Sequence, residues 1–236
     1  MLSSWRVVKD KMKKWSADNP KAPLMEQKRA AIVSAAQESF LESGYSQASM
    51  DAIARTAGVS VKTIYGHFEN KKELFSAVMQ AVCLAEGAPQ GPQDEAAMAA
   101  RFPWFTDVTQ SGLTDGGKEY LRHLLSKEQL ALYRVVTRDA DRFPELGMQY
   151  QKDVVAGRAE ILVKYFGRAA RMNKWKLMSA QRAGLVYEAL LRADLFDEVL
   201  HGIRSPEPKL ITKHARSAAS VMWKLMEAGV LGADQT

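Results

Sequence analysis

The chain has 236 residues, of which 47% are hydrophobic and 25% are charged, and its formal net charge is +6. This length is enough for one sizeable hydrophobic core or two small ones. A single cysteine, Cys83, excludes an internal disulfide framework, and no apolar run is long enough to span a membrane. The N-terminus also lacks the continuous apolar stretch of a signal peptide, so we predict a cytoplasmic protein.

The basic charge is concentrated at the N-terminus, where residues 1–30 hold eight Lys or Arg and three Asp or Glu. Lysines flank an apolar stripe of helical spacing, whose members are Trp5, Val8, Met12 and Trp15. Three interpretations of this basic extension, residues 1–23, stay open. It is a helix that packs the stripe on the protein and presents lysines to DNA phosphates, a disordered or merely packed extension, or a segment that touches an anionic membrane surface.

The next segment begins a series of helical patterns. Sustained period-two alternation is absent from the sequence, so we predict an all-α fold of roughly nine helices. Residues 24–43 place Ile32, Ala36 and Phe40 on one face of a helix, and Gly44 ends it.

Two short helices follow, separated by a tight turn. Ser49 is the predicted N-cap of the helix MDAIARTAG, and Gly58 supplies the backbone freedom for the turn after it. Ser60 caps the helix VKTIYGH, whose inward residue is Ile64, and Asn70 caps a third helix. This arrangement is typical of a helix-turn-helix, in which the middle helix projects its outer face into a groove of DNA.

The run GYSQASMDAIARTAGVSVKTIYGHFENKKELF, residues 44–75, resembles the N-terminal signature of the TetR family of bacterial transcription regulators. The run LYRVVTRDADRFPELGMQYQ, residues 132–151, resembles the C-terminal domain of the AefR-like subgroup. The resemblance implies an N-terminal three-helix helix-turn-helix domain at 24–78. A larger helical domain for effector binding and dimerisation would occupy 79–236.

A recognition helix needs polar side chains for base edges and donors for phosphates. Lys62 can donate to guanine, and Tyr65 can stack on a sugar or a thymine methyl. By the resemblance, the DNA-binding residues are Ser49, Arg55, Ser60, Lys62, Thr63, Tyr65, His67 and Lys71. The alternatives are that Tyr65 covers Phe68, that His67 is a solvated cap, and that Lys71 belongs to a plain exposed face.

The C-terminal region is rich in aromatic residues. Residues 118–142 and 144–172 are predicted as two helices, after a loop at 111–117. The resemblance implies that some aromatic side chains line a cavity for a small, mainly apolar effector. The predicted lining residues, each of which could equally be ordinary core, are Phe102, Trp104, Phe105, Tyr120, Tyr133, Tyr150, Tyr165 and Phe166.

The last two predicted helices, 178–200 and 209–229, carry apolar stripes on either side of a loop at 202–208. In the family that the chain resembles, this pair forms a four-helix dimer interface. The predicted interface residues are Val186, Leu190, Phe196, Leu210, Ala218, Val221, Met222 and Leu225. Packing of the same faces within one protomer is the alternative.

An enzyme is the rival class of function, but the sequence has no nucleophile elbow, phosphate loop or CxxC motif. Asp197 and His201 have helical spacing without a third metal ligand nearby, and the acidic cluster of Asp139, Asp141 and Glu145 is interpreted as a solvated turn. We therefore expect no cofactor and no metal. The prediction is a homodimeric, ligand-responsive regulator that binds a double-stranded DNA operator, with repression as the expected mode. A sequence-tolerant DNA-binding protein without an effector is the alternative.

Overall fold

A computed structural model describes residues 20–85, 95–176 and 179–232, and for residues 83–85 it describes the backbone alone. All regular structure within these ranges is helical, which confirms the all-α prediction for them. The Trp-containing stripe of the basic extension lies outside the described residues.

The N-terminal part of the described chain forms four helices. Their bounds are Ala22–Ser43 for α1, Met50–Thr56 for α2, Val61–His67 for α3 and Lys71–Ala85 for α4. The predicted helix starts at Ser49, Ser60 and Asn70 agree with these bounds, because all three side chains accept hydrogen bonds from the first turn that follows them.

The remaining helices are joined by short turns. Their bounds are Glu95–Arg101 for α5, Gln110–Leu124 for α6, Lys127–Asp139 for α7, Pro144–Tyr150 for α8, Ala156–Asn173 for α9, Ala180–Leu200 for α10 and Pro208–Glu227 for α11. A 3₁₀ turn, Pro103–Phe105, precedes α6, and a π-helical turn, Gln151–Val155, joins α8 to α9.

The predicted loop at 111–117 is wrong, because these residues belong to α6. Its glycines serve close packing instead of a turn. A Cβ on Gly116 would lie 2.7 Å from the Trp104 ring, and one on Gly117 would lie 2.4 Å from the Tyr187 hydroxyl. The helix therefore keeps glycine where aromatic side chains press against its backbone.

The single helix predicted at 118–142 is also wrong, since the chain breaks between α6 and α7. Ser126 caps the new helix by accepting from the backbone N–H of Gln129 at 3.2 Å. A second irregularity lies within α10, where Ala193 has φ of 26° and ψ of −134° and kinks the helix.

The contacts divide the chain into two compact units. Within the described ranges, the first consists of residues 20–85 with 131–154, and the second of residues 95–130, 155–176 and 179–232. The first unit thus combines α1–α4 with most of α7 and with α8. The domain boundaries predicted from the sequence, after residues 23 and 78, stay a prediction.

Each unit has its own aromatic core. In the first, Phe40 and Phe75 meet edge to face with ring centroids 5.0 Å apart, and Tyr45 packs on both. In the second, Tyr165 contacts Trp104 at 5.6 Å and Phe166 at 5.5 Å. Edge-to-face packing of this kind is favourable beyond simple burial of apolar area.

Candidate DNA-binding surface

The position of α3 is fixed by three local features. Gly58 adopts φ of +66° in the turn, which is a conformation that favours glycine. The backbone N–H of Val59 donates to the Ala54 carbonyl at 3.0 Å, and Ile64 is 0% exposed in the core beneath α3. With one face anchored in this way, the opposite face of α3 turns towards solvent.

That outer face carries the predicted base-reading residues. Lys62 is exposed, and Tyr65 is 52% exposed. The hydroxyls of Ser60 and Thr63 lie 2.8 Å apart, while Ser60 Oγ also accepts from the backbone N–H of Thr63 at 3.1 Å. The half-buried His67 ring lies 6.5 Å from the Phe68 ring, at the end of the helix.

The alternative was that Tyr65 covers Phe68. The Tyr65 side chain is more exposed to solvent than this alternative would require. Phe68 is 1% exposed, and Arg29 lies over its ring at 4.9 Å. On the preceding helix, Ser49 is exposed and accepts from the backbone N–H of Ala52 at 3.2 Å, and Arg55 is exposed. The structure thus brings Ser49, Arg55, Lys62 and Tyr65 to the surface of the same helix-turn-helix.

Lys71 is placed differently from a plain exposed lysine. Its Nζ donates to the carbonyl oxygens of Tyr45 at 2.9 Å and Ala48 at 3.0 Å, and it lies 4.5 Å from the centre of the Tyr45 ring. Burial lowers the pKa of Lys71, while Asp139 raises this pKa and Arg142 lowers it. The ammonium therefore already has internal acceptors, and DNA binding by Lys71 stays a prediction.

The first turn of α4 is occupied as well. Asn70 Oδ1 accepts from the backbone N–H of Glu73 at 3.0 Å, and Glu73 Oε2 accepts from the backbone N–H of Glu69 at 2.6 Å. The two side chains thus satisfy backbone N–H groups on either side of the start of α4, and they place the Glu73 carboxylate there.

The loop between α1 and α2, residues 44–49, is held by the corner between α7 and α8. Asp139 Oδ2 accepts from the backbone N–H groups of Tyr45 at 2.8 Å and Ser46 at 3.3 Å. The Phe143 ring meets the Tyr45 ring edge to face at 5.1 Å. Gly44 adopts φ of +87°, a conformation that side chains other than glycine rarely allow, so the loop favours glycine here.

The interpretation of Asp139 as part of a solvated turn is therefore wrong, since Asp139 is 6% exposed. Sequence reasoning missed its role because its partners are backbone groups far away in the chain. The resemblance of residues 132–151 to a known subgroup was the one signal that this stretch has a specific part.

The eight predicted effector-pocket residues fall into both units. Tyr133 and Tyr150 meet at 6.2 Å in the first unit. The six others lie in the second unit, namely Phe102, Trp104, Phe105, Tyr120, Tyr165 and Phe166. Five of these six are buried, while Trp104 is half-buried and its indole N–H donates to Glu119 at 2.8 Å. Their role in effector binding stays a prediction.

Buried phenols are among the polar groups of this second core. Tyr120 donates to Glu188 Oε1 at 2.6 Å, and Tyr187, which the sequence analysis did not single out, donates to the Leu113 carbonyl at 2.7 Å. Burial raises the pKa of Tyr120 well above its ordinary value of 10.0, opposed by Arg158 and reinforced by Glu188. The half-buried Arg192 has its Nη1 3.9 Å from the same carboxylate, so Tyr120, Glu188 and Arg192 form a small polar network.

The predicted dimer residues are split between surface and interior. Met222 is 0% exposed, Phe196 3% and Ala218 5%, so these three side chains pack within the protomer. Val221 is 43% exposed, and the half-buried members are Val186, Leu190, Leu210 and Leu225. An exposed residue that the sequence analysis missed, Leu185, lies beside them in α10. Dimerisation through α10 and α11 stays a prediction.

The described ranges contain neither a candidate metal site nor a candidate membrane-spanning helix. No group of three potential metal ligands comes together there, and Asp197 and His201 therefore have no third partner among these residues. Of the helices described, none combines the length and the apolar character that crossing a membrane requires.

Two family profiles match the chain. The profile described as bacterial regulatory proteins, tetR family, matches residues 32–78. The profile described as the C-terminal domain of AefR-like transcriptional repressors matches residues 111–225. The first match covers α2 and α3, and the second runs from the start of α6 into the last turn of α11.

Individual relatives differ in how much of the chain they match. The HTH-type transcriptional activator FasR of Mycolicibacterium smegmatis is 46% identical over 55 residues, which is 23% of this chain and 25% of FasR. The HTH-type transcriptional repressor BepR of Brucella suis is 24% identical over 192 residues, 75% of this chain and 87% of BepR. A solved structure of a TetR-family regulator from Mesorhizobium loti has a TM-score of 0.69 at 21% identity, covering 85% of this chain and 97% of its own. This last likeness shows the fold.

Proposed function

Because the chain belongs to the TetR family of bacterial transcription regulators and has an AefR-like C-terminal domain, we propose that it is an operator-binding repressor released from DNA by a small molecule. In this proposal it acts in the cytoplasm as a homodimer. Two copies of α3 then read two half-sites in successive major grooves.

The observation that carries the DNA-binding part is the exposed outer face of α3. Lys62 and Tyr65 extend from a short helix that is capped at Ser60 and anchored by the buried Ile64. A helix with one rigid anchor and one polar face satisfies what direct readout of base edges requires. Repression, instead of activation, is supported by BepR, which is named a repressor and matches 75% of this chain.

The effector part is supported by the second unit. Its core combines aromatic rings with a small polar network of Tyr120, Glu188 and the half-buried Arg192. Such a mixture of apolar surface and a few polar groups is common where proteins bind small molecules. The ligand would favour a conformation in which the two recognition helices no longer match the spacing of the half-sites, because only differential affinity for two states can shift DNA binding.

The test begins with DNA that the purified protein selects from random pools. Binding of the selected duplex is compared with binding of an unrelated duplex of equal length. Lys62→Ala and Tyr65→Ala should each weaken binding to the selected duplex by about 1–3 kcal/mol and leave folding intact. Lys209→Ala, which removes an exposed lysine from the start of α11, is the control and should bind like the wild type. Unchanged preference for the selected duplex in both α3 variants would overturn the assignment.

A small-molecule screen by thermal shift tests the effector. Each hit is then titrated in the presence and absence of the selected duplex. Because coupling between two sites is reciprocal, DNA must weaken the affinity for a true effector by the same factor as the effector weakens DNA binding. Hits that bind equally well in both conditions would contradict release by a ligand.

A further inference from the structure

A cation outside the helix-turn-helix lies beside the loop that leads into it. Arg142 is exposed in the corner between α7 and α8, and its Nη1 donates to Ser46 Oγ at 3.4 Å. Its charge also lowers the pKa of Lys71, so the two cations lie within electrostatic reach of one another. Two positive groups thus converge on the same short loop.

The backbone of the corner that carries Arg142 is tied to the same loop. Asp139, three residues earlier, is tied to the backbone of Tyr45 and Ser46, and the backbone N–H of Arg142 donates to the Asp139 carbonyl at 3.2 Å. The Arg142 guanidinium lies 5.5 Å from the centre of the Phe143 ring. Stacking on a ring leaves the N–H groups at the edge of the guanidinium available for an oxygen-rich partner.

Among the residues that the structure describes, Arg142 forms no ion pair, and the nearby Asp139 carboxylate is committed to two backbone N–H groups and lies 3.6 Å from Arg138. Lys71 directs its own ammonium at the carbonyls of Tyr45 and Ala48. On this side of the loop, Arg142 is therefore the better placed of the two to meet an external anion.

We propose that Arg142 binds a phosphate of the DNA backbone beside the helix-turn-helix, as a contact contributed by the α7–α8 corner. The Cα atoms of Ser46 and of Ser49, the exposed cap of α2, are at most about 11 Å apart, because three chain steps separate them. A guanidinium at Ser46 thus lies next to the surface that carries the predicted DNA-binding residues. A phosphate contact adds affinity for every sequence alike and carries no base specificity.

This inference rests on the DNA binding proposed above, and its test keeps the two apart. Arg142→Gln is compared with Arg101→Gln on the selected duplex and on an unrelated duplex, over a range of salt concentrations. Arg101 is a matched control, since it is also exposed and also lies over the ring of the phenylalanine that follows it, at 5.3 Å. Arg101 belongs to the second unit.

Arg142→Gln should weaken binding to the selected duplex and to the unrelated duplex by the same factor. The plot of log Kobs against log salt should become less steep. The magnitude of its slope should decrease by about 0.9 for each phosphate that is no longer bound, which is about two units for a dimer. Arg142→Lys should retain most of the slope, because it keeps the charge. Arg101→Gln should behave like the wild type.

Ser46→Ala removes the hydrogen bond to Arg142 and keeps the charge, so it separates a DNA contact from a purely structural one. An unchanged salt slope in Ser46→Ala supports the proposal. If Ser46→Ala reproduces the loss caused by Arg142→Gln, or if Arg142→Gln leaves the slope unchanged, the proposal is overturned. Lys62→Ala reports on the proposed function independently, because it should reduce the preference for the selected duplex whichever way Arg142 behaves.

Discussion

The carboxylate of Asp139 accepts a hydrogen bond of 2.8 Å from the backbone N–H of Tyr45, although 94 positions separate the two residues in the chain. The same oxygen accepts from Ser46, and the Lys71 ammonium donates to the carbonyls of Tyr45 and Ala48. The Asp139 carboxylate thus accepts from backbone N–H groups of this loop, and the Lys71 ammonium donates to its backbone carbonyls. Because that loop ends at the cap of α2, the α7–α8 corner sets how the helix-turn-helix begins.

Replacing Asp139 with alanine should lower the free energy of unfolding by about 1–3 kcal/mol, because the buried N–H of Tyr45 would lose its acceptor. Asp141→Ala is the control, since Asp141 is an exposed acid two residues away. Urea unfolding measures the difference between the two variants. Equal midpoints for both would mean that the Asp139 bonds add nothing to stability.

Two glycine substitutions test the packing of α6. Gly117→Ala should destabilise the protein by about 1–3 kcal/mol, because its methyl group would press on the Tyr187 hydroxyl, which is held by the Leu113 carbonyl. Gly157→Ala, in α9, meets nothing within 4 Å and should stabilise by about 0.5–1 kcal/mol through helix propensity. Thermal unfolding of the two variants should therefore shift in opposite directions, and a shared direction would contradict this account.

The sequence was most informative where local chemistry decides the structure. The caps at Ser49 and Ser60, the turn at Gly58 and the inward Ile64 all follow from short-range rules, and each was predicted where it lies. Pro144 likewise begins α8, as its fixed φ favours.

Long-range packing was the part that the sequence could not provide. Gly116 and Gly117 look like part of a loop until the side chains of Trp104 and Tyr187 are placed against them, and Gly112 packs against the backbone of Asp107. Met222 and Val221 are neighbours in one apolar stripe, yet the first is buried and the second is 43% exposed. A stripe shows which side of a helix is apolar, but it does not show where a protomer ends and a partner begins.

The buried tyrosines predict the response to alkaline pH. Burial raises the pKa values of Tyr120, Tyr165 and Tyr187 above their ordinary 10.0. Above pH 10 the unfolded chain therefore releases these protons while the folded chain keeps them, so the free energy of unfolding should fall as pH rises. Tyrosinate absorbance should appear for these residues together with loss of helical circular dichroism. Full ionisation of all tyrosines in a protein that stays folded would contradict their burial.

Deleting residues 1–20 tests the three interpretations of the basic extension. If its lysines bind phosphates, the deletion should weaken binding to all duplexes alike. It should also reduce the magnitude of the salt slope by about 0.9 for each phosphate that the extension had bound. Weaker binding to vesicles of anionic lipid, with an unchanged salt slope on DNA, would favour the membrane interpretation instead. An unchanged slope and unchanged lipid binding would favour a packed or idle extension.

Val221→Asp tests the proposed dimer interface. Val221 is 43% exposed in α11, so the protomer itself has room for the new side chain, whereas an apolar interface would have to bury its charge. The variant should stay helical, sediment as a monomer, and lose binding to the selected duplex, because two half-sites are read together. Met172→Asp is the control, since Met172 is 58% exposed in α9 and lies outside the proposed interface. It should remain dimeric and bind DNA. If Val221→Asp is a well-folded dimer with unchanged operator affinity, the two protomers do not meet through this face of α11.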